Sequence, residues 1–351
     1  MHAHDFLSHL TIDFPRAPVV LYAHKNKGAA APGGRKGAKM NLEAMKSQTI
    51  GVEVEMAKIS RNKAAQVAAG VFGTGNYKDT AYRNGYKAWS AWDAQGREWK
   101  FQYDSSIRGY DAEKCEMVTP ILKYEDIELL QDVLRALRKA GAKSDASWMC
   151  GVHIHIGAAG HTPATLRNLT NLMASHEFLL INALKLDADR IDRYCQVVDP
   201  DFLRAVNKQK PTTMDRLADI WYTENGASYG RDAHYNCSRY HMLNLHATFT
   251  KGTIEFRLFQ FDRPSENRKG GLHAGQLKSY IQLCLALSQQ AKEARSCSSK
   301  QPQMANPKYS MRCWLLRLGF IGPEFETARD FLTRNLSGDA AFRNGRPSAA
   351  A

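Results

Sequence analysis

The feature that most constrains the fold is a strict period-two alternation in three short segments. They read IGVEVEM over Ile50–Met56, GVHIHIG over Gly151–Gly157 and GTIEFRLF over Gly252–Phe259. Because successive side chains of a β-strand point to opposite faces, residues i and i+2 share a face. Each segment therefore predicts a strand with one apolar face toward a core and one face that carries a pair of titratable or charged side chains.

The first pair, Glu53 and Glu55, places two carboxylates on one face of a strand. Like charges this close repel each other, and the repulsion grows when the face is partly buried. A bound divalent cation would remove it, whereas a solvent-facing strand would tolerate it. The pair alone leaves both interpretations open.

The second pair, His153 and His155, offers two imidazoles, which are good ligands for transition metals or manganese. Two hydrogen-bonded histidines on a sheet are the simpler alternative. The spacing also occurs in zinc hydrolases and cupins, but a cupin would carry a glutamate a few residues later, and GAAGHTPAT follows here.

In the third pair, Glu255 and Arg257 could form an internal ion pair, yet a guanidinium is also a bidentate partner for phosphate.

Two more acids belong to short strands. Asp104 follows the aromatic strand Trp99–Tyr103, and Glu116 lies in Cys115–Val118. Each alone is typical of a turn aspartate or a strand-edge glutamate. Together with the three pairs, however, they predict a concave sheet lined by carboxylates, imidazoles and an arginine. That lining suits several hard cations that hold a polyphosphate.

The rest of the pattern predicts an α+β fold rather than a doubly wound one, because strands and helices follow each other irregularly. Helices are predicted over Asp126–Ala140, from Pro163 (with Thr162 as N-cap) to Leu184, and over His273–Ala294. Further predictions are strands over Thr49–Ala57, Gly151–Ile156, Met242–Thr248 and Gly252–Leu258, and a loop over Thr223–Ser238. We expect a catalytic domain at residues 48–337 between a flexible basic segment, 1–47, and a flexible tail, 338–351.

The composition of the chain limits the classes of binding partner that we expect. The net charge of +13 favours anionic ones: ATP, an acidic substrate or nucleic acid. The seven cysteines contain no CxxC pair, which is typical of free thiols in a cytoplasmic protein. The chain has no run of about 18 apolar residues and its N-terminal residues lack the pattern of a secretory signal, so no membrane partner is expected.

The ordered set of motifs resembles one family. GxExE, DSS, ExVTP, GVHIHIG, RYxxLN and GTIEFR follow each other here as in the putative amidoligases, a branch of the glutamine synthetase and glutamate–cysteine ligase superfamily. The resemblance spans roughly Gly51–Ala294. It implies a curved, mainly antiparallel sheet of about six strands that forms a half-barrel active site, with helices packed outside. The superfamily often assembles into homo-oligomers, and the sequence leaves the oligomeric state open.

The resemblance also implies roles for individual residues. Those that resemble ligands of two or three Mg²⁺ or Mn²⁺ ions are Glu53, Glu55, Glu116, His153 and Glu255. Those that resemble ATP- or phosphate-binding residues are Arg257, His155 and Arg239, and those that resemble substrate contacts are Asp104, Asn244 and Arg239. Arg257, Glu255 and Asp104 would also take part in catalysis.

The implied reaction is an ATP-dependent ligation of a carboxylate to an amine through an acyl phosphate, with release of ADP and phosphate. The substrates would be small molecules or peptides. A metal-dependent phosphotransferase or hydrolase on the same fold is one alternative, and a basic nucleic-acid-binding module is another. The aromatic and basic segment Tyr77–Tyr110 would suit nucleic acid, but we interpret it as a loop over the active site that contacts an acidic or peptide substrate. Nucleic acid is therefore the less favoured partner.

Overall fold

The structure, a computed structural model, describes residues 40–83, 85–233, 235–302 and 304–344. Residues 1–39 and 345–351, which include most of the predicted flexible N-terminal segment and half of the predicted flexible tail, lie outside the described ranges. The described chain begins earlier than the expected domain start at residue 48. A short helix, Leu42–Lys46, packs against the later helix Ala274–Glu293 and buries Met45 completely.

The sheet has eight strands, and every pairing between neighbouring strands is antiparallel. In chain order they are β1 Ile50–Met56, β2 Tyr77–Asp79, β3 Trp89–Trp92, β4 Glu98–Gln102, β5 Cys115–Val118, β6 Val152–Gly157, β7 Leu243–Asn244 and β8 Thr253–Phe259. Their order across the sheet is β2-β3-β4-β5-β1-β6-β8-β7, so the strands with paired polar residues, β1, β6 and β8, are neighbours.

Helices follow the strands irregularly, as expected for an α+β fold. They are α1 Leu42–Lys46, α2 Arg61–Val71, α3 Ile127–Lys139, α4 Pro163–Leu184, α5 Ala188–Arg193, α6 Pro200–Gln209, α7 Met214–Glu224, α8 His246–Lys251, α9 Ala274–Glu293, α10 Pro307–Arg317 and α11 Glu326–Thr333. The predicted start of α4 is confirmed, since the Thr162 hydroxyl accepts from the Thr165 backbone N–H and Pro163 occupies the first helical position. None of the helices in the described ranges is long and apolar enough to cross a membrane.

The apolar face of the sheet is the core. Its fully buried side chains include Val52, Val54, Val152, Ile154, Ile254 and Phe256. Helix α2 packs on β3 and β4, and α9 packs on β6 and also contacts α3, α4 and α11. Apolar alternation in β1, β6 and β8 therefore does what the sequence predicts: it fixes which face of each strand meets the helices and which face is left for polar residues.

Two predictions about the sheet were wrong. About six strands were expected, but β2 and β3 add two more inside the segment Tyr77–Tyr110, which we interpreted as a loop. These strands have only three and four residues, too few for a clear alternation pattern, and they are held by pairing of β2 with β3 and of β3 with β4. The strand predicted over Met242–Thr248 is reduced to β7, because the chain turns into α8, which ends at Gly252 in the left-handed region at φ 69°.

The C-terminal tail is held at its beginning. The side-chain amide of Asn306 donates to the carbonyl oxygens of Phe342 (2.9 Å) and Arg343 (3.2 Å). All seven cysteines lie in the described ranges, and none of them is in a disulfide.

Candidate active site

The polar face of the sheet gathers the residues that the sequence singled out. Across neighbouring strands, Glu55 lies opposite Glu116, Glu53 opposite His153, and His155 opposite Glu255. Residues directly opposite each other in an antiparallel pair share a face, so one face of the sheet carries all of them. The register adds two residues at the ends of this row: Gln102 opposite Glu116 and Asn244 opposite Glu255.

Burial makes this face unusual. Side chains of Glu55, Glu116, His153, His155 and Glu255 are all buried, although they are charged or titratable. A solvent-facing strand side, the simplest alternative for the Glu53 and Glu55 pair, is therefore excluded for Glu55, which is only 5% exposed. Buried carboxylates at this density require compensating positive charge.

Both histidines are fixed through one ring nitrogen. Nδ1 of His153 lies 2.9 Å from Oε2 of Glu53, and its Nε2 lies 3.8 Å from Oε1 of Glu55. Nδ1 of His155 lies 3.0 Å from the Thr253 hydroxyl. A partner on Nδ1 orients the imidazole and leaves Nε2 available as a ligand.

A glycine opposite one of these rings also matters. A Cβ on Gly51 would lie 3.3 Å from Cβ of His155, closer than most such contacts. Glycine at this position therefore leaves the ring of His155 its room on the polar face.

Three overlapping groups of side chains could each hold a metal ion, because one ligand atom from each member lies within 4.8 Å of the others. They are Glu53 with Glu116 and His153; Glu53 with His155 and Glu255; and Glu55 with Asp104 and Glu116. The five residues expected to bind metal all belong to these groups. His155, expected at phosphate, and Asp104, expected at substrate, join them as well.

The residues fit a hard divalent cation, and one orphaned atom shows this most clearly. Nε2 of His155 is buried and has no hydrogen-bond partner. It lies 3.4 Å from Oε1 of Glu53 and 3.9 Å from Oε1 of Glu255. A buried nitrogen between two carboxylate oxygens is left unsatisfied by protein atoms alone, and a cation among these three groups would satisfy it. Carboxylate oxygens dominate the donor set, which favours Mg²⁺ or Mn²⁺ over softer ions.

The charges on this face also perturb one another. Burial raises the pKa of Glu116 well above its ordinary value, and the neighbouring carboxylates of Glu53, Asp104 and Glu55 raise it further. Burial alone would also raise the pKa of Glu53, but His155 and His153 outweigh it and hold that pKa well below its ordinary value. Burial lowers the pKa of His155, whereas Glu255 and Glu53 more than reverse this. A proton on His155 and a bound cation would relieve the same negative charge.

Arg257 and Glu255 form the expected internal pair, with Nη1 of Arg257 2.5 Å from Oε1 of Glu255. Burial would raise the pKa of Glu255, but Arg257 and His155 bring it down to about 2. Nδ2 of Asn244 donates to the other oxygen, Oε2, at 2.5 Å. Asn244, which the sequence predicts as a substrate contact, therefore also orients Glu255.

A cavity of about 710 Å³ opens over this face. Its floor contains Glu53, Glu55, Glu116, His153 and Arg257. Asp104 and Arg239, which the sequence predicts as substrate contacts, also line it. Its walls carry five tyrosines: Tyr86, Tyr103, Tyr194, Tyr235 and Tyr240. The hydroxyls of Tyr86 and Tyr235 are 3.1 Å apart, so two segments distant in sequence meet at the cavity.

Sequence reasoning missed several lining residues. Gln102, which donates to Oε2 of Glu116 at 2.8 Å, and Lys100 share a face of β4 by the same i, i+2 rule, so a signal for them existed. Arg190 on α5 also lines the cavity, but it lies in the segment ADRIDR, which is typical of a helix surface. Its burial, with 2% exposed, could not be predicted from that pattern.

Comparison of the amino-acid sequence with known families identifies the group of proteins to which this chain is similar. Residues 46–288, about two-thirds of the chain, match the model of a family described as a putative amidoligase enzyme. The chain belongs to the amidoligase family. The matched span runs from the end of α1 into α9 and thus contains the whole polar face. No curated protein matched the chain. Family membership supports a ligase.

Proposed function

We propose that this amidoligase-family protein is an ATP-dependent carboxylate–amine ligase of the glutamine synthetase-like superfamily. The single observation that carries the proposal is the buried polar face, where three overlapping groups of carboxylates and imidazoles adjoin Arg257. Bound cations together with an anionic ligand would balance the charges of such a face. A nucleoside triphosphate with two or three Mg²⁺ or Mn²⁺ ions supplies both the anionic ligand and the cations.

The residues that would hold the ions are Glu53, Glu55, Glu116, His153, His155 and Glu255, with Asp104 at the edge of the third group. When bound, the ions would neutralise phosphate charge and stabilise the charge that develops during phosphoryl transfer. Asn244 and Arg257 keep the Glu255 carboxylate in place, and Glu53 and Thr253 keep the two imidazoles in place.

The reaction divides into two balanced steps. A carboxylate oxygen of the first substrate attacks the γ-phosphorus of ATP, the bond to the β-phosphate oxygen breaks, and ADP leaves. The amine nitrogen of the second substrate then attacks the acyl carbon, the bond from this carbon to the phosphate oxygen breaks, and phosphate leaves while the amine loses a proton. Arg257, which faces the cavity, would bind the transferring phosphoryl group, because a guanidinium matches phosphate oxygens.

Walls of tyrosine would keep the acyl phosphate from water until the amine arrives. Tyr103 lies in an aromatic and basic rim of the cavity, where the cationic groups of Arg61, Lys87 and Lys114 are within 6 Å of the centre of its ring. This rim suits a small molecule or peptide that carries a carboxylate.

The test is ADP release from Mg²⁺-ATP by purified protein against a panel of amino acids, amines and peptides, with mass spectrometry for the amide. Release that needs both a carboxylate and an amine is expected, and it should vanish in Glu255→Gln. The matched control is Glu266→Gln, the same change at an exposed loop position. ADP release that needs an acceptor but yields no amide would indicate a phosphotransferase, and release that needs only water would indicate a hydrolase.

A further inference from the structure

Arg190 is a buried arginine that the proposed function has not used. It is 2% exposed, belongs to α5, and lines the cavity beside Glu55 and Arg257. Because α5 lies outside the strands of the polar face, Arg190 reaches this face from beside the start of β6. A guanidinium in such a place keeps its charge, so its surroundings must supply acceptors.

The protein supplies few hydrogen-bond acceptors to the guanidinium of Arg190. Nη1 of Arg190 donates to the carbonyl oxygen of Met149 and Nη2 to that of Arg257, both at 3.5 Å, the limit of a hydrogen bond. Nε has no partner. The nearest carboxylate oxygen, Oε2 of Glu55, is 4.0 Å from Nη1 and already accepts the backbone N–H of Gly151 at 2.6 Å.

A partly buried arginine of this chain shows what a structural role looks like. Arg97 donates through Nε to Asp93 at 2.8 Å, and through Nη1 and Nη2 to both oxygens of Asp126 at 2.9 Å. That guanidinium is satisfied by short, charge-assisted bonds to carboxylates. Arg190 is more deeply buried and has only long bonds to backbone oxygens. Its position therefore lacks the acceptors that a purely structural arginine has.

The backbone has nevertheless made room for it. A Cβ on Gly151 would lie 2.3 Å from Nη2, 2.5 Å from Nη1 and 2.7 Å from Cζ of Arg190. Gly151 is not among the glycines with positive φ, so backbone conformation does not require glycine there. The glycine instead creates the slot in which the guanidinium of Arg190 lies against the start of β6.

We infer that Arg190 is a second oxyanion-binding residue of the cavity, which acts beside Arg257 on the ligand's phosphoryl or carboxylate oxygens. An oxyanion would accept short hydrogen bonds from the Arg190 guanidinium, which the neighbouring protein groups do not. The slot beside Gly151 already holds the guanidinium in one orientation, which lowers the cost of binding. The inference rests on the proposed function and deepens it by naming how the anionic group is held. The source of that group is either the terminal phosphate of ATP or the carboxylate of the first substrate.

The test is binding, measured by calorimetry on the full chain with Mn²⁺ present, of ATP, ADP, inorganic phosphate and L-glutamate as a carboxylate probe. Arg190→Lys keeps the positive charge beside Glu55 but loses the fork of donors. It should weaken oxyanion binding about tenfold to a hundredfold while Mn²⁺ binding and the melting temperature stay near wild type. Loss for ATP but not ADP assigns the terminal phosphate, and loss for L-glutamate alone assigns the carboxylate.

Two further variants keep the inference falsifiable. Gly151→Ala retains Arg190 but displaces its guanidinium, so it should weaken the same probe as Arg190→Lys. Arg97→Lys is the matched structural control and should lower stability without changing oxyanion binding. Wild-type affinity of Arg190→Lys for all four probes would overturn the inference, as would a wild-type protein that binds none of them. A protein that binds ATP through Arg190 but forms no amide would contradict only the ligase proposal.

Discussion

Replacing Glu116 by glutamine should stabilise the metal-free protein, although it removes a residue of the proposed metal site. The carboxylates of Glu55, Asp104 and Glu116 offer oxygens within 4.8 Å of one another, and Glu53 belongs to an adjoining group with Glu116. Glutamine has the same shape and can still accept the bond from Gln102 that Glu116 accepts at 2.8 Å. The substitution therefore removes charge and little else.

Two estimates bound the change in the free energy of unfolding that Glu116→Gln should cause. At 4.8 Å and an effective dielectric constant of about 20, one ionised pair repels by roughly 3.5 kcal/mol. The protein avoids part of this by protonating Glu116, whose pKa burial and its acidic neighbours raise well above the ordinary value of 4.5. Holding that proton at pH 7 costs at most about 1.4 kcal/mol per pH unit above 4.5, or roughly 3 kcal/mol. We expect a gain of about 1–3 kcal/mol, or roughly 2–6 °C in melting temperature.

The sign of the pH dependence is fixed by the direction of the pKa shift. A carboxyl with a raised folded-state pKa is held protonated in the folded protein, so stability falls as the pH rises above the unfolded-state pKa. Glu116→Gln removes this loss. Its advantage over wild type should therefore be small near pH 4 and largest near pH 8.

The assay is urea and thermal unfolding in EDTA and again in saturating Mn²⁺, with Glu266→Gln as the matched control. In EDTA the Glu116→Gln protein should be the more stable, and in Mn²⁺ the order should reverse because only wild type gains the full binding energy. If Glu116→Gln is destabilised by about 1 kcal/mol or more in EDTA while the control is unchanged, the like-charge reasoning is refuted.

Three further predictions use other residues. Mn²⁺ or Mg²⁺ with ATP should raise the wild-type melting temperature by several degrees, and Glu53→Gln, which touches two of the three ligand groups, should lose most of this rise in a thermal shift assay. Arg257→Ala should lower the turnover number of ATP-dependent ligation by roughly a hundredfold or more while circular dichroism shows a folded protein. Burial raises the pKa of Glu177 to about 7, so stability falls between about pH 4.5 and 7, and Glu177→Gln should add up to about 3 kcal/mol at pH 8 and nothing at pH 4 in urea unfolding.

Much of the site was predictable because it depends on local alternation. In β1, β6 and β8 the period of two fixes both the buried face and the polar face, so the amino-acid sequence suffices to place Glu53, His153 and Glu255 on polar strand faces. The start of α4 was predictable for the same local reason, since Thr162 and Pro163 are a cap and a first-turn residue.

What could not be predicted depends on contacts between distant segments. Strands β2 and β3 are ordered by pairing across the sheet, and the chain leaves β7 for α8 where the sequence still alternates. The guanidinium of Arg190 lies in space that a Cβ at Gly151, which is 39 positions earlier, would occupy. The tyrosine walls come from segments such as those of Tyr86 and Tyr235, which meet only in the folded chain.

The central claim is that a carboxylate becomes an acyl phosphate on this polar face. The most direct test gives the enzyme ATP, the amine and a carboxylate substrate labelled with ¹⁸O in both oxygens, and analyses the released phosphate by mass spectrometry. An acyl phosphate leaves one ¹⁸O from the carboxylate in each phosphate, and this is the result we predict. Phosphate without that label, which instead takes oxygen from H₂¹⁸O in the converse experiment, would contradict the ligase and identify a hydrolase.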